Sequence, residues 1–369
     1  MQTRWELGSE LDWSNGLLMS FASKNLLPEK YELFSTASAA LLSLGSLLNK
    51  NEGRRLRIHI PSFFCMDVVA KLSNILDVCW YRDLPTEMSP DFSTLKTLPG
   101  DLILVVNLFG VRDEKVWQDW LTENEKAILI EDHSHDPFSP WAQQSTAHYA
   151  ISSLRKTLPI PDGGIIYSPQ YLELPRTSGI ESFGAYRRLT SMLLKRAFLS
   201  GIDISKDVYR QMDVESQEYF DEHELSDISE LTANAVSDFT ANILNHLNIP
   251  HFRRQREANI RHFVNWNLSG ENFLWKHLVK SWPPEGVPLS VILLCQTQEI
   301  RDALRKHLIS QNIFAPIHWL QPRKGISSND PLAIDLSSRI LTIPTDQRYS
   351  IDDITYVAGI VGNFFDRIE

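Results

Sequence analysis

From Leu56 onward, short apolar runs rich in β-branched residues alternate with segments whose apolar positions recur at helical spacing. The runs are LRIHIP (56–61), DLILVVNLFG (101–110), AILIED (127–132) and GGIIYS (163–168), each ending in turn residues. That alternation predicts a mostly parallel sheet. The runs are almost continuously apolar instead of alternating in and out, so helices are expected on both sheet faces. Ligands of such sheets bind beyond the carboxyl ends of the strands. The positions to inspect are therefore 61–65, 107–110, 132–135 and the segment before GGIIYS.

The middle of the chain, about 175–267, reads as helices joined by a charged connecting segment around 213–227. PPEG (283–286) then breaks the chain. After it come VPLSVILLC, a helical IRDALRKHLISQ, IFAPIHW, SSRILTIPT and a final helix from about 351 to 368. At 369 residues one core is not expected to serve the whole molecule. The expected fold class is α/β: a large unit over 1–240 with an N-terminal arm of about 1–33, and a small C-terminal α+β unit over 241–369.

Composition narrows the function classes. Apolar residues make up 43% and charged residues 22%, ordinary for a folded protein, and no run approaches the ~20 apolar residues of a membrane span. The first residues, MQTRWELGSELDW, do not read as a secretory signal, which makes the cytoplasm the expected compartment. Three widely spaced cysteines, Cys65, Cys79 and Cys295, argue against a disulfide framework or a cysteine zinc site. A net charge of -10 gives no basic stripe for nucleic acid, and HFRRQREANIRHF (251–263) reads as one polar helix face.

The chemistry concentrates in 127–167, AILIEDHSHDPFSPWAQQSTAHYAISSLRKTLPIPDGGIIY. Asp132 closes a buried strand, where a carboxylate needs a cationic or hydrogen-bonding partner. A protonated pyridine nitrogen is such a partner, and a charged pyridine is the electron sink of pyridoxal chemistry. Lys156 follows the apolar YAISSL and precedes a proline-rich turn, and a lysine nucleophile needs burial or neighbouring positive charge to shed its proton. Asp162-Gly163-Gly164 supplies a tight turn into the next strand. FSTASAALLSL (34–44) places Ser35, Thr36 and Ser38 at a helix start, an arrangement that suits a phosphate. Taken singly, Asp132 and Thr36 also read as caps, and Lys156 as a surface lysine.

In this order the residues resemble the DegT/DnrJ/EryC1/StrS family of sugar aminotransferases over most of the chain. TASAAL (36–41) is similar to the family's phosphate-cradling S-G-T-A-A-L, with Ala37 and Ser38 on the Gly-Thr pair. IPSFFC (60–65) resembles the loop lining the cofactor ring. Cys65 stands where relatives carry a stacking aromatic, which turns attention to Phe64. NLFG (107–110) resembles the H-L-F/Y-G turn, and EDHSH (131–135) the E-D-x-A-[QH] motif. SSLRKTLPIPDGG (152–164) is similar to the Schiff-base signature, with Lys156 at the lysine position and Ser152 and Ser153 upstream as phosphate candidates.

The resemblance implies a pyridoxal-phosphate transferase fold of type I, a homodimer, and pyridoxal phosphate as cofactor. It implies Lys156 as the Schiff-base lysine, Asp132 on the pyridine nitrogen and His135 at the ring's 3-hydroxyl. The implied reaction moves an amino group from an amino acid, glutamate by analogy, to a nucleotide-linked keto-sugar. The family's G-x-N-x-R-M-S-E-L segment is represented only by ELSDISEL (224–231), without the Asn and Arg. That departure leaves room for another pyridoxal reaction, such as dehydration, or for an altered substrate, and a non-catalytic interaction or regulatory role is a further alternative. From a different class, Asp132, His133, His135 and Asp136, with His148, suggest a metal site, although no complete ligand set is present. IHW (317–319), with His318 its exposed candidate, reads equally as a border of the substrate pocket or as core packing, and Arg339 and Arg348 read as partners for substrate acid groups or, more commonly, as solvated arginines.

Overall fold

The computed structural model describes residues 4–19, 26–222, 225–227, 232–267 and 272–368. The large unit contains β1 (Tyr31–Phe34), α1 (Ala37–Glu52), β2 (Arg57–Pro61), α2 (Met66–Leu72), β3 (Asp77–Tyr81), β4 (Leu102–Val106), α3 (Lys115–Glu123), β5 (Ile128–Asp132), β6 (Tyr149–Ser153) and β7 (Gly164–Tyr167). Two long helices follow, α4 (Phe183–Leu199) and α5 (Lys206–Glu222), and then α6 (Ile249–Asn267). The remainder holds β8 (Trp275–His277), β9 (Val291–Cys295), α7 (Gln298–Ser310), α8 (Pro331–Arg339), β10 (Ile340–Ile343) and α9 (Ile351–Asp366).

The main sheet runs β1-β7-β6-β5-β4-β2-β3. The five strands from β6 to β3 are mutually parallel, while β7 runs antiparallel to both β6 and β1. Chain order reverses beside β2, whose neighbours are β3 on one side and β4 on the other, and such switch points open a crevice at the strand ends. The strand alternation divides two buried apolar layers. Leu102, Leu104 and Val106 of β4 join the layer beneath α1, while Ile103 and Val105 join Trp117 and Trp141 on the opposite face. Both faces are thus covered, as the continuous apolar runs require.

A separate antiparallel sheet, β8-β9-β10, packs with α6, α7 and α9 around Phe263, Trp275, Leu304 and Val357. Leu7–Gly8 of the arm reaches across to pair in parallel with Ile313–Phe314.

Two departures from the sequence reading concern the middle and the edge. Residues 206–222 form one helix, so most of the supposed charged connection is regular structure. Tyr209, Ser216 and Phe220 are buried at helical spacing, and Asp213 pairs with Arg188 of α4 at 3.5 Å. The apolar stripe is narrow and partly polar, which disguises it in sequence. The edge strands β1 and β3 are the other additions. Of ELSDISEL, only Leu225–Asp227 falls in the described residues, as a short strand paired with Thr232–Ala233.

Candidate active site

A cavity of about 400 Å3 lies at the carboxyl ends of β2, β4, β5 and β6, a volume within the roughly 300–1,000 Å3 of small-molecule sites. Its wall includes Ala37 and Ser38 of α1, Phe64 and Cys65 beyond β2, Asp132 and His135 beyond β5, and Ser153 and Lys156 at and beyond β6. Residues from four separated segments of sequence therefore converge.

The anion end is built by α1. Thr36 adopts an extended backbone and accepts the Ala39 N–H on its hydroxyl at 3.0 Å, capping the helix. The first-turn amides of Ala37 and Ser38 are among those a helix leaves without carbonyl partners, and here they border the cavity. Gly164 allows this approach: a Cβ there would lie 2.2 Å from the Thr36 carbonyl carbon. Ser35 is buried, with a hydroxyl that has no partner among the described residues, and it does not line the cavity.

Asp132 ends β5 with Oδ1 accepting the Ser134 N–H at 2.8 Å. Among the described residues Oδ2 has no hydrogen-bond partner, so the carboxylate retains capacity toward the cavity it lines. A buried carboxylate with a free oxygen fits a cationic ring N–H. Lys156 projects into the cavity from the turn after β6 and remains exposed to its interior. Surrounding protein nonetheless desolvates the amine, pushing its pKa below the ordinary lysine value, against an opposing pull from Asp132.

His135 is fixed on both ring nitrogens. Nδ1 accepts the Phe109 N–H at 2.8 Å, and Nε2 lies 3.4 Å from Lys156 Nζ. Burial, Lys156 and His318 together push its pKa well below the imidazole norm, against a backbone hydrogen bond with Asn107, and with Nδ1 accepting the Phe109 N–H a neutral ring carries its proton on Nε2. The ring is nearly parallel to Phe109 at 5.6 Å and to Trp319 at 5.3 Å, and those two rings are themselves 6.1 Å apart, so the three form a triangular cluster.

Several expectations change. Ser152 does not line this cavity; it faces a second one on the other side of the sheet with Ser145, Ile165 and Tyr167. Strand alternation dictates this, because Ile151 and Ser153 already take the active side. Ser153, whose N–H donates to Ser134 Oγ at 2.8 Å, is the serine that borders the site. His133 turns away from His135, bonding Glu131 at 2.9 Å, while Asp136 is paired with Arg253 and His148 Nδ1 takes the Leu129 N–H. Among the described residues no group of three or more potential ligands converges on a metal position.

His318 turns to Thr342, Nδ1 to Oγ1 at 2.9 Å, and burial beside Lys156 lowers its pKa to about 3. Its neighbour Trp319 lines the cavity instead. Arg339 bonds Asp335 and the Cys295 carbonyl, and Arg348 bonds Asp346 and the Glu10 carbonyl; neither reaches the site. Missed in sequence were Gln217, Phe220 and Asp221 of α5, and Arg323, all on the cavity wall. Their approach is long-range, and only the helical recurrence of Tyr209, Ser216 and Phe220 hinted at it.

No protein-family model and no curated protein matches the chain. Solved structures match its fold. The aminotransferase TlmJ from Streptoalloteichus hindustanus superposes with a TM-score of 0.64 at 14% identity, over 92% of this chain and 87% of the other. Spr1654 from Streptococcus pneumoniae, assigned as a sugar aminotransferase and solved in its PLP form, gives 0.63 at 14% identity over 92% and 88%. DesI, crystallised in the presence of its TDP-sugar product, gives 0.61 at 15% identity over 90% and 80%. The fold is that of the pyridoxal-phosphate-dependent aminotransferases, a mostly parallel sheet flanked by helices.

Proposed function

We propose that this chain is a pyridoxal-phosphate-dependent sugar aminotransferase of the DegT/DnrJ/EryC1/StrS family. The observation that carries the reading is the convergence of Lys156, Asp132 and His135 with the first turn of α1 around one cavity. The order of the matching motifs and the shared fold support it.

The residues present fit the cofactor, which when bound would supply an electron-accepting pyridinium ring. Ala37 and Ser38 offer amide N–H groups to its phosphate, with Ser153 at the neighbouring wall. Asp132 would hold the proton on the ring nitrogen, and His135 would donate toward the ring hydroxyl. Phe64 and Cys65 would flank the ring, Cys65 without an aromatic face. Lys156 would hold the cofactor, and as a free amine of lowered pKa it would take and return a proton at the substrate Cα.

The donor is glutamate and the acceptor a nucleotide-linked keto-sugar in the cytoplasm, both carried by resemblance. The same reading divides the chain at about 240 and places two copies in a homodimer. No helix among the described residues is long and apolar enough to cross a membrane. The test is a pair of half-reactions on purified holoprotein. Glutamate should convert the bound cofactor and release 2-oxoglutarate, and a keto-sugar nucleotide should then take up the amino group. Conversion by glutamate with no transfer to any keto-sugar would favour a different pyridoxal reaction.

A further inference from the structure

Trp319 is the aromatic residue through which the C-terminal segment reaches the cavity. Its half-buried indole stacks on His135 at 5.3 Å with an interplanar angle of 15°, and tilts against Phe63 and Phe64 at 5.8 and 6.1 Å. Lys156 Nζ lies 5.6 Å from its centroid. The residues assigned to the cofactor come from the strand ends and α1 of the large unit. Trp319 comes from beyond β9 and stands beside the amine that must reach the reacting carbon. Its packing against four large-unit rings, including Phe109 at 6.1 Å, holds the indole in one orientation.

We propose that Trp319 is the platform on which the sugar ring of the acceptor lies. This deepens the aminotransferase reading and rests on it. An indole face carries partial negative charge, and one face of a pyranose ring presents polarised C–H groups, so the two are complementary. An amino-acid donor such as glutamate has no such face to offer. Lys71 and Arg323 line the same cavity, paired with Asp221 at 3.1 Å and Asp67 at 2.6 Å.

The experiment separates the two half-reactions in Trp319→Leu, which keeps apolar bulk without a ring face, and in Trp319→Phe, which keeps a smaller face. Holoproteins are assayed with L-glutamate and with a panel of dTDP- and UDP-linked 4-keto-6-deoxyhexoses. In W319L, kcat/KM for the acceptor half should fall roughly ten- to hundredfold, as for loss of an aromatic stack. W319F should fall between, and the glutamate half should stay within about twofold of wild type in both variants. An unchanged acceptor half in W319L overturns the proposal. Loss of the visible cofactor band, or equal loss in both halves, also overturns it and assigns Trp319 to the cofactor. A wild-type protein that aminates no keto-sugar removes the function reading itself, which is a different failure.

Discussion

His135 Nε2 stands 3.4 Å from Lys156 Nζ while its Nδ1 is occupied by the Phe109 N–H at 2.8 Å. The backbone bond selects the tautomer, so the proton on the other nitrogen points at the reacting end of the site. Replacing His135 by Ala removes that donor, and with it the 3.4 Å contact to Lys156 Nζ, while leaving the Lys156 side chain in place. Cofactor affinity of the apoprotein should weaken roughly two- to tenfold, the range for losing a neutral hydrogen bond. Titration with pyridoxal phosphate, read by its visible band, measures this. An unchanged affinity would place His135 outside the cofactor contacts.

The depressed pKa of Lys156 has a signed consequence. A lowered amine pKa means a larger neutral fraction at any given pH, and acidification removes the nucleophile by protonating it. The rate at which apoprotein develops the visible band should therefore fall with acid, with an inflection below the ordinary lysine value of 10.5. An inflection at or above that value would contradict the burial argument.

Asp132→Asn preserves the acceptor for the Ser134 N–H but removes the negative charge from the cavity. The variant should fold and bind cofactor. Its turnover should drop roughly a hundred- to thousandfold, the scale for losing a preorganised electrostatic partner. Steady-state rates at saturating cofactor decide this, and activity near wild type would sink the assigned role.

Gly164→Ala tests how the anion end is built. Its Cβ would fall 2.2 Å from Thr36 backbone atoms, so either β7 or the first turn of α1 must move. We expect a stability loss of about 1–3 kcal/mol, typical of overpacking, together with weaker cofactor binding. Urea unfolding and cofactor titration read the two effects separately.

Much of this arrangement was legible in sequence because it is local. The apolar runs ending in Asp132 and before Lys156 fixed the strand ends, and those ends define where a ligand sits. Resemblance to the family's motifs picked out Ala37, Ser38, Phe64, Cys65, Asp132, His135 and Lys156, all of which line one cavity. The choice between Ser152 and Ser153 needed the facing of one strand, which spacing to the lysine does not supply. The helix 206–222 was obscured because its buried face mixes Tyr209, Ser216 and Phe220 with ion-paired residues. The roles of His318 and Trp319 were open for a tertiary reason: only the packing of the C-terminal segment on Phe63, Phe109 and His135 turns the indole inward.

The central claim is that Lys156 anchors pyridoxal phosphate, and trapping that bond tests it most directly. Purified protein with pyridoxal phosphate is treated with borohydride, digested, and its peptides weighed by mass spectrometry, with Lys156→Ala alongside. The account predicts a visible band bleached by borohydride and a phosphopyridoxyl group on the Lys156 peptide, both absent in K156A. A wild-type protein with no band, or an adduct on another lysine with Lys156 unmodified, would contradict it.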